Sequence, residues 1–159
     1  FLGMGFNFRP TELNAAFGLC QLPKLETLNK HREINARTVA ERFRSTNGHF
    51  MQSLLPTHYQ AKPAWFALPF VLQDDLPYSR KDCTTYLNRY GVDTRPIVGG
   101  NLARHPAFWK YPELVAHPLP GANIVHDRGF YIGLPPIETD MSPIIGLLSG
   151  MDTTLRHAA

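Results

Sequence analysis

From Lys24 to Thr46 the chain runs without a proline or a glycine, and nowhere else does it go so far. Leu25, Leu28, Ala36, Val39 and Phe43 recur there at the spacing of one helix face. They predict a helix over roughly Lys24 to Arg44, apolar side inward and charges outward, ended by Asn47-Gly48. Pro23 is placed to open it, because a missing N–H costs little in a first helical turn. A shorter helix should precede it. Thr11 is a suitable N-cap and Glu12 meets the positive end of the helix dipole. Leu13, Ala16, Phe17 and Cys20 then follow at helical spacing and predict a buried stripe.

The rest of the chain is cut short repeatedly by its 14 prolines and 12 glycines, which are scattered and form no repeat or low-complexity tract. Residues 45–63 read as polar and turn-rich. Trp65 to Leu72 is a nearly continuous apolar run, as in a strand covered on both faces, with Pro69 arguing for an edge or a bulge. Ser79 with Asp82 three residues on has the form of a capping box, so a helix over Arg80 to Tyr90 follows, closed by Gly91. Val92 to Val98 is a second strand candidate. Ala122 to Phe130 reads as helix, Tyr131 to Leu134 as strand, and a last helix runs from Ser142-Pro143 to about Leu155. A few short strands flanked by helices make an α+β fold, and 159 residues suffice for one sizeable core.

Composition removes several function classes. A net charge of +3 and a pI near 9.0 invite nucleic acid. Yet the one dense cluster, Lys30, His31, Arg32, Arg37, Arg42 and Arg44, is interleaved with Glu33 and Glu41, the pattern of a solvated helix face. No nucleic-acid partner is expected. The longest apolar stretch, Ala64 to Leu72, is too short to cross a membrane. The opening Phe-Leu-Gly-Met-Gly lacks the basic start of a signal peptide. Cys20 and Cys83 have no metal-ligand spacing and read as small buried thiols in helices, in keeping with a reduced, cytoplasmic setting. The seven histidines are equally without ligand spacing, so no metal is expected. The chain contains no GxxxxGK, GxSxG or HExxH, and no complete catalytic set.

Two segments carry more chemistry. In the first, Gly5-Phe6-Asn7 and Arg9 lead into Glu12, Ala15-Ala16, Gly18 and Gln21-Leu22. An amide and a guanidinium beside flexible glycines suit phosphate oxygens, although Asn7 capping a turn and Arg9 pairing with Glu12 is the plainer reading. In the second, Thr94-Arg95-Pro96 runs through Gly99-Gly100 to Asn101 and Arg104. Arg95 and Arg104 suit a nucleotide diphosphate and Asn101 a sugar hydroxyl. A strand-end salt bridge, a surface charge and a helix N-cap serve the same three residues equally well.

The first segment resembles the signature of the DegT/DnrJ/EryC1/StrS sugar aminotransferase family. The second, with Gly129-Phe130-Tyr131-Ile132-Gly133 further on, looks like its PMP-dependent nucleotide-sugar 3-dehydrase subgroup. The resemblance implies that residues 1–159 are the C-terminal part of a fold-type-I PLP-dependent transferase: an interface and active-site loop at 1–10, a helical segment at 11–45 and a small α+β domain at 46–159. It implies PLP or PMP as cofactor, with Asn7 and Arg9 at its phosphate and Asn7 reaching across a homodimer interface. The substrate would be a nucleotide-activated 4-keto-6-deoxy sugar, dehydrated at C3 in deoxysugar (O-antigen or lipopolysaccharide) biosynthesis. Nucleotide-sugar transamination and a non-catalytic dimerisation or binding module are the alternatives. The family's catalytic Lys or His would lie in an upstream cofactor domain absent from this chain, since Lys24, Lys30, Lys62, Lys81 and Lys110 lack its serine-flanked context. The isolated chain is therefore expected to be inactive, with no catalytic residue of its own.

Overall fold

The computed structural model describes residues 10–46, 51–53, 63–114 and 118–158. Asn7, Arg9 and the helix stop expected at Asn47-Gly48 lie outside them. Helix α1 spans Glu12–Gln21, and a 3-10 turn at Leu22–Lys24, with Pro23 in its first turn, joins it to α2, Leu25–Thr46. Asn14 Oδ1 accepts from the Thr11 N–H and hydroxyl at the head of α1. Four strands follow in the order β1 (Met51–Ser53), β2 (Ala67–Leu72), β3 (Thr94–Pro96) and β4 (Gly129–Gly133). They form one antiparallel sheet with spatial order β1-β2-β4-β3. Helices α3 (Arg80–Arg89), α4 (Pro120–Arg128) and α5 (Ser142–Ala158) complete the fold.

Side chains alternate across a sheet, and here one face is the core. Leu68, Phe70, Phe130 and Ile132 are fully buried on it, against Ala36, Val39, Ala40 and Phe43 of α2, Cys83 and Leu87 of α3, and Leu148 and Met151 of α5. Phe43 meets Phe70 edge-on at 5.6 Å. The buried Asn35 amide of α2 donates to the carbonyls of Pro135 and Ile137 at 3.1 and 3.0 Å, fastening the loop after β4 to the helix. The solvated face predicted for α2 is there, with Glu33 and Arg37 paired at 3.0 Å.

The α3 capping box forms as its residues dictate. The Ser79 N–H donates to Asp82 Oδ2 at 2.7 Å, and the Asp82 N–H returns a bond to Ser79 Oγ at 3.3 Å. That bonding holds the Asp82 carboxyl below its usual range, the Ser79 side chain being the largest cause. Gly91 takes φ +79° just past the helix, a conformation that costs glycine least. On the far side of α3, the Tyr78 hydroxyl donates to Asp152 of α5. Burial, with the bond to Asp152, pushes its phenol well above its normal range, and burial pushes the Cys83 thiol up to about 12.

Several expectations need correcting. The stripe of α1 is not buried: Leu13 is 69% and Phe17 66% exposed, Ala16 and Cys20 are exposed, and Leu25 at the start of α2 is 47% exposed. Periodicity records that a helix has an apolar side, but not what covers it, and no described residue covers this one. β2 is an interior strand despite Pro69. The Leu134 N–H donates to Phe66 O, so alternation leaves Pro69, opposite Tyr131, in a non-hydrogen-bonded pair with its nitrogen turned from β4. The nitrogen faces the β1 side, where the described strand ends at Ser53, opposite Phe70. β3 is three residues long rather than seven, and β1 falls in a stretch that reads as turns.

Candidate functional site

After β3 the chain turns sharply over Ile97 to Gly100, where the Gly100 N–H donates to Ile97 O at 2.9 Å. Val98 sits in this turn at φ +46°, where a β-branched residue is strained by roughly 1–3 kcal/mol. Its side chain is 84% exposed, so core packing does not repay the strain. Gly100 follows at φ +62°, and a Cβ there would lie 2.6 Å from His126 Nδ1, so only glycine fits.

What holds the turn is a polar network reaching α4. His105 Nε2 lies 2.6 Å from Gly99 O, a carbonyl that can only accept, so Nε2 carries the proton. The Asn101 N–H donates to His126 Nδ1 at 3.2 Å, which requires that nitrogen to be unprotonated. The His126 pKa is accordingly lowered, by burial first and then by the Arg104 charge, with Asp127 opposing. Arg80, at the head of α3, donates to the carbonyls of His126 and Gly129 at 2.8 and 3.1 Å, satisfying the end of α4. A Cβ on Gly129 would meet Val125 O at 2.4 Å, so this junction too admits only glycine.

The structure thus places the sequence-predicted residues in two locations. Asn101 and Arg104 come together against α4. Asn101 is only 4% exposed: its Oδ1 accepts from the Ala103 N–H at 3.0 Å and its Nδ2 donates to Asn123 Oδ1 at 2.8 Å. This is a cap on the 3-10 turn Leu102–Arg104. Arg104 pairs with Asp127 at 2.7 Å on the surface and holds that carboxyl below its usual range. Arg95 stands apart on β3, an end strand of the sheet as described, exposed and loosely paired with Asp93 at 3.7 Å.

Two clefts share the strained turn as a wall. One, of about 390 Å³, lies between Arg80, His105, His126 and Gly99-Gly100. The other, of about 320 Å³, lies on the sheet face opposite the core and is lined mostly by apolar side chains, among them Trp65, Phe66, Tyr131 and Val98. Arg80, His105 and His126 were not picked out by motif. They converge from separate elements, and the sequence sign of their meeting place is the Gly99-Gly100 pair.

The described residues do not by themselves fit a pyridoxal cofactor. Lys24, Lys30, Lys81 and Lys110 are all exposed, and Lys24 bonds Gln21. The cleft beside Lys30 is also lined by Glu26 and Glu33, whose charge opposes a phosphate. Among the described residues no group of three or more His, Cys, Asp or Glu could hold a metal ion, and no helix is long and apolar enough to cross a membrane.

Comparison with known proteins adds a second kind of observation. Residues 2–143 match the profile of the DegT/DnrJ/EryC1/StrS aminotransferase family. The dTDP-4-dehydro-2,6-dideoxy-D-glucose 3-dehydratase of Saccharopolyspora spinosa is 31% identical over 140 residues, 88% of this chain and 30% of the relative. Among solved structures, E. coli GDP-4-keto-6-deoxy-D-mannose-3-dehydratase with bound hydrated PLP superimposes with a TM-score of 0.68 at 26% identity, over 91% of this chain and 36% of that one. An aminotransferase from Psychrobacter cryohalolentis reaches a TM-score of 0.74 at 20% identity, over 98% of this chain and 41% of that one, a likeness of fold alone. The fold is therefore that of the corresponding part of PLP-dependent transferases, helices flanking a short sheet. The chain spans about a third of the length of the relatives it matches.

Proposed function

The chain belongs to the DegT/DnrJ/EryC1/StrS aminotransferase family, and from that premise we propose that it is the C-terminal part of a PLP/PMP-dependent enzyme that removes the C3 hydroxyl of a nucleotide-activated 4-keto-6-deoxy sugar in deoxysugar biosynthesis. One observation carries the choice of reaction. Fold likeness is as high for the aminotransferase as for the dehydratase, yet the sequence sides with the dehydratases, at 31% and 26% identity against 20%.

The division of labour follows from what the described residues offer. Cofactor chemistry belongs to the upstream part, with Asn7 and Arg9 of this chain at the cofactor phosphate. Arg95, exposed and only loosely paired, is placed to meet the substrate's diphosphate, whereas Arg104, paired with Asp127 against α4, lies apart from it. Asn101 serves the substrate by fixing the Gly99-Gly100 turn, since both polar ends of its side chain are bonded within the chain. The uncovered stripe of Leu13, Phe17 and Leu25 is the surface on which the upstream part and a second subunit pack, making the working form a homodimer.

The test is direct. Full-length protein charged with PMP is given a dTDP- or GDP-linked 4-keto-6-deoxyhexose, and products are read by mass spectrometry and proton NMR. A product lacking the C3 hydroxyl is expected. An amino group at C4 with the C3 hydroxyl retained would replace dehydration by transamination. Neither product, from a well-folded protein, would favour a non-catalytic module.

A further inference from the structure

We infer that His126 is a proton-operated latch on the turn at 97–100, holding it closed while the imidazole is neutral and releasing it when the ring takes up a proton. The latch is one hydrogen bond whose direction depends on one proton. The His126 ring lies against Gly100, where an added Cβ would come within 2.6 Å of Nδ1. The next residue, Asn101, donates its N–H to that nitrogen at 3.2 Å. A proton on Nδ1 turns the acceptor into a donor, so two N–H groups face each other and the bond is lost. The second ring on the turn behaves differently. His105 Nε2 already directs its proton at Gly99 O, 2.6 Å away, and charging that ring adds a proton only at Nδ1. Of the two histidines, His126 alone couples the turn to pH.

The turn has a reason to move once it is let go. Val98 is held at φ +46° with its side chain in solvent, and it relaxes when residue 101 is no longer tethered to α4. Both clefts have this turn as a wall, so its release widens both. The surroundings keep the latch closed near neutral pH. Burial of the ring opposes a charge most, and Arg104 of the 3-10 turn opposes it next. Arg80 of α3 and the His105 ring, its centroid 6.0 Å away, act in the same direction from two further elements. Asp127, the neighbour in α4, favours the proton, but its carboxylate is paired with Arg104 at 2.7 Å. Release therefore falls below the ordinary imidazole range, and the turn is closed above it.

The experiment exchanges full-length protein into deuterium oxide at steps from about pH 7.5 to about pH 5, a range that spans imidazole titration. Mass spectrometry follows the peptide over 97–101, with rates corrected for the intrinsic pH dependence of exchange. Its protection is expected to fall by about 3- to 10-fold towards the acid end, the worth of one neutral hydrogen bond, while β2 and β4 keep theirs. His126→Asn puts a carbonyl oxygen that does not titrate where Nδ1 stands, so this variant is expected to stay protected throughout. His126→Ala offers no acceptor and is expected to exchange at the faster rate at every pH. His105→Gln keeps a donor towards Gly99 and is expected to retain the response to acid. Undiminished protection of the wild type in acid overturns the inference, and so does an equal loss in His126→Asn or a lost response in His105→Gln. A loss that extends at once to β2 and β4 overturns it too, because the event would then be unfolding and not the release of one turn.

Discussion

Replacing Asn101 by alanine separates a residue that shapes the site from one that reads the substrate. The substitution removes the oxygen that caps the Ala103 N–H and the amide that donates to Asn123, both from a residue only 4% exposed. Loss of an N-cap costs about 1 kcal/mol, and a neutral hydrogen bond contributes about another 1 kcal/mol. Asn123 is exposed, so its freed oxygen regains water and no orphan penalty is added. The backbone bond from residue 101 to His126 survives the change. The expected total is about 2 kcal/mol, which in a protein of this length lowers the melting temperature by about 4–8 °C. Asn101→Ser keeps a capping oxygen and should recover about half of the loss. Thermal melts of the 159-residue chain, read by circular dichroism, measure both values. An Asn101→Ala protein that melts with the wild type, while the full-length enzyme carrying it shows a raised substrate KM, would refute the capping argument and make Asn101 a direct sugar contact.

Three further outcomes are expected. His126 has a folded-state pKa below the ordinary 6.5, so the unfolded chain binds the extra proton; the stability it contributes is present above about pH 6.5 and is lost as pH falls through the window below. Urea midpoints between about pH 7.5 and 5.5 should therefore fall less steeply in His126→Gln than in the wild type, and parallel slopes would count against the network. In the full-length dimer, Asn7→Ala should weaken cofactor retention by about 1.5–3 kcal/mol, the worth of a hydrogen bond to a charged group, and an unchanged cofactor titration would sink that assignment. The 159-residue chain, shown to be folded by circular dichroism, should neither turn over a nucleotide sugar nor give stoichiometric labelling of a single lysine after PLP and borohydride, because a Schiff base needs a positioned lysine and its four described lysines lie on open surface.

What the sequence made legible was local. Ser79, Asp82 and Gly91 announce the ends of α3 because capping is a matter of three or four neighbouring residues. The second half of α2 could be read because Ala36, Val39 and Phe43 face a core formed within the chain. The matching stripe on α1 misled because its spacing is the same whether the covering surface is inside this chain or elsewhere. β1 escaped notice because three residues are too few for an alternation to show. The network at the turn was hidden for another reason. Asn101 meets Asn123 and His126 across 22 and 25 residues of sequence, and no motif records a contact that only the folded sheet and α4 create. Arg95 and Arg104, close in sequence, separate in space because the turn between them redirects the chain from the sheet to α4.

Helix α2 also decides where this protein can be cut and rejoined. Its second half supplies Ala36, Val39, Ala40 and Phe43 to the wall of the core, while its first turns are continuous with the uncovered α1. A recombination joint placed at residue 46, at the end of the helical segment, would set another parent's α2 against this sheet and mismatch four packed side chains at once. Pro23 is the better joint. The turn at Leu22–Lys24 buries nothing among the described residues, so a chimaera crossing there inherits the whole core from one parent and its outward-facing helix from the other.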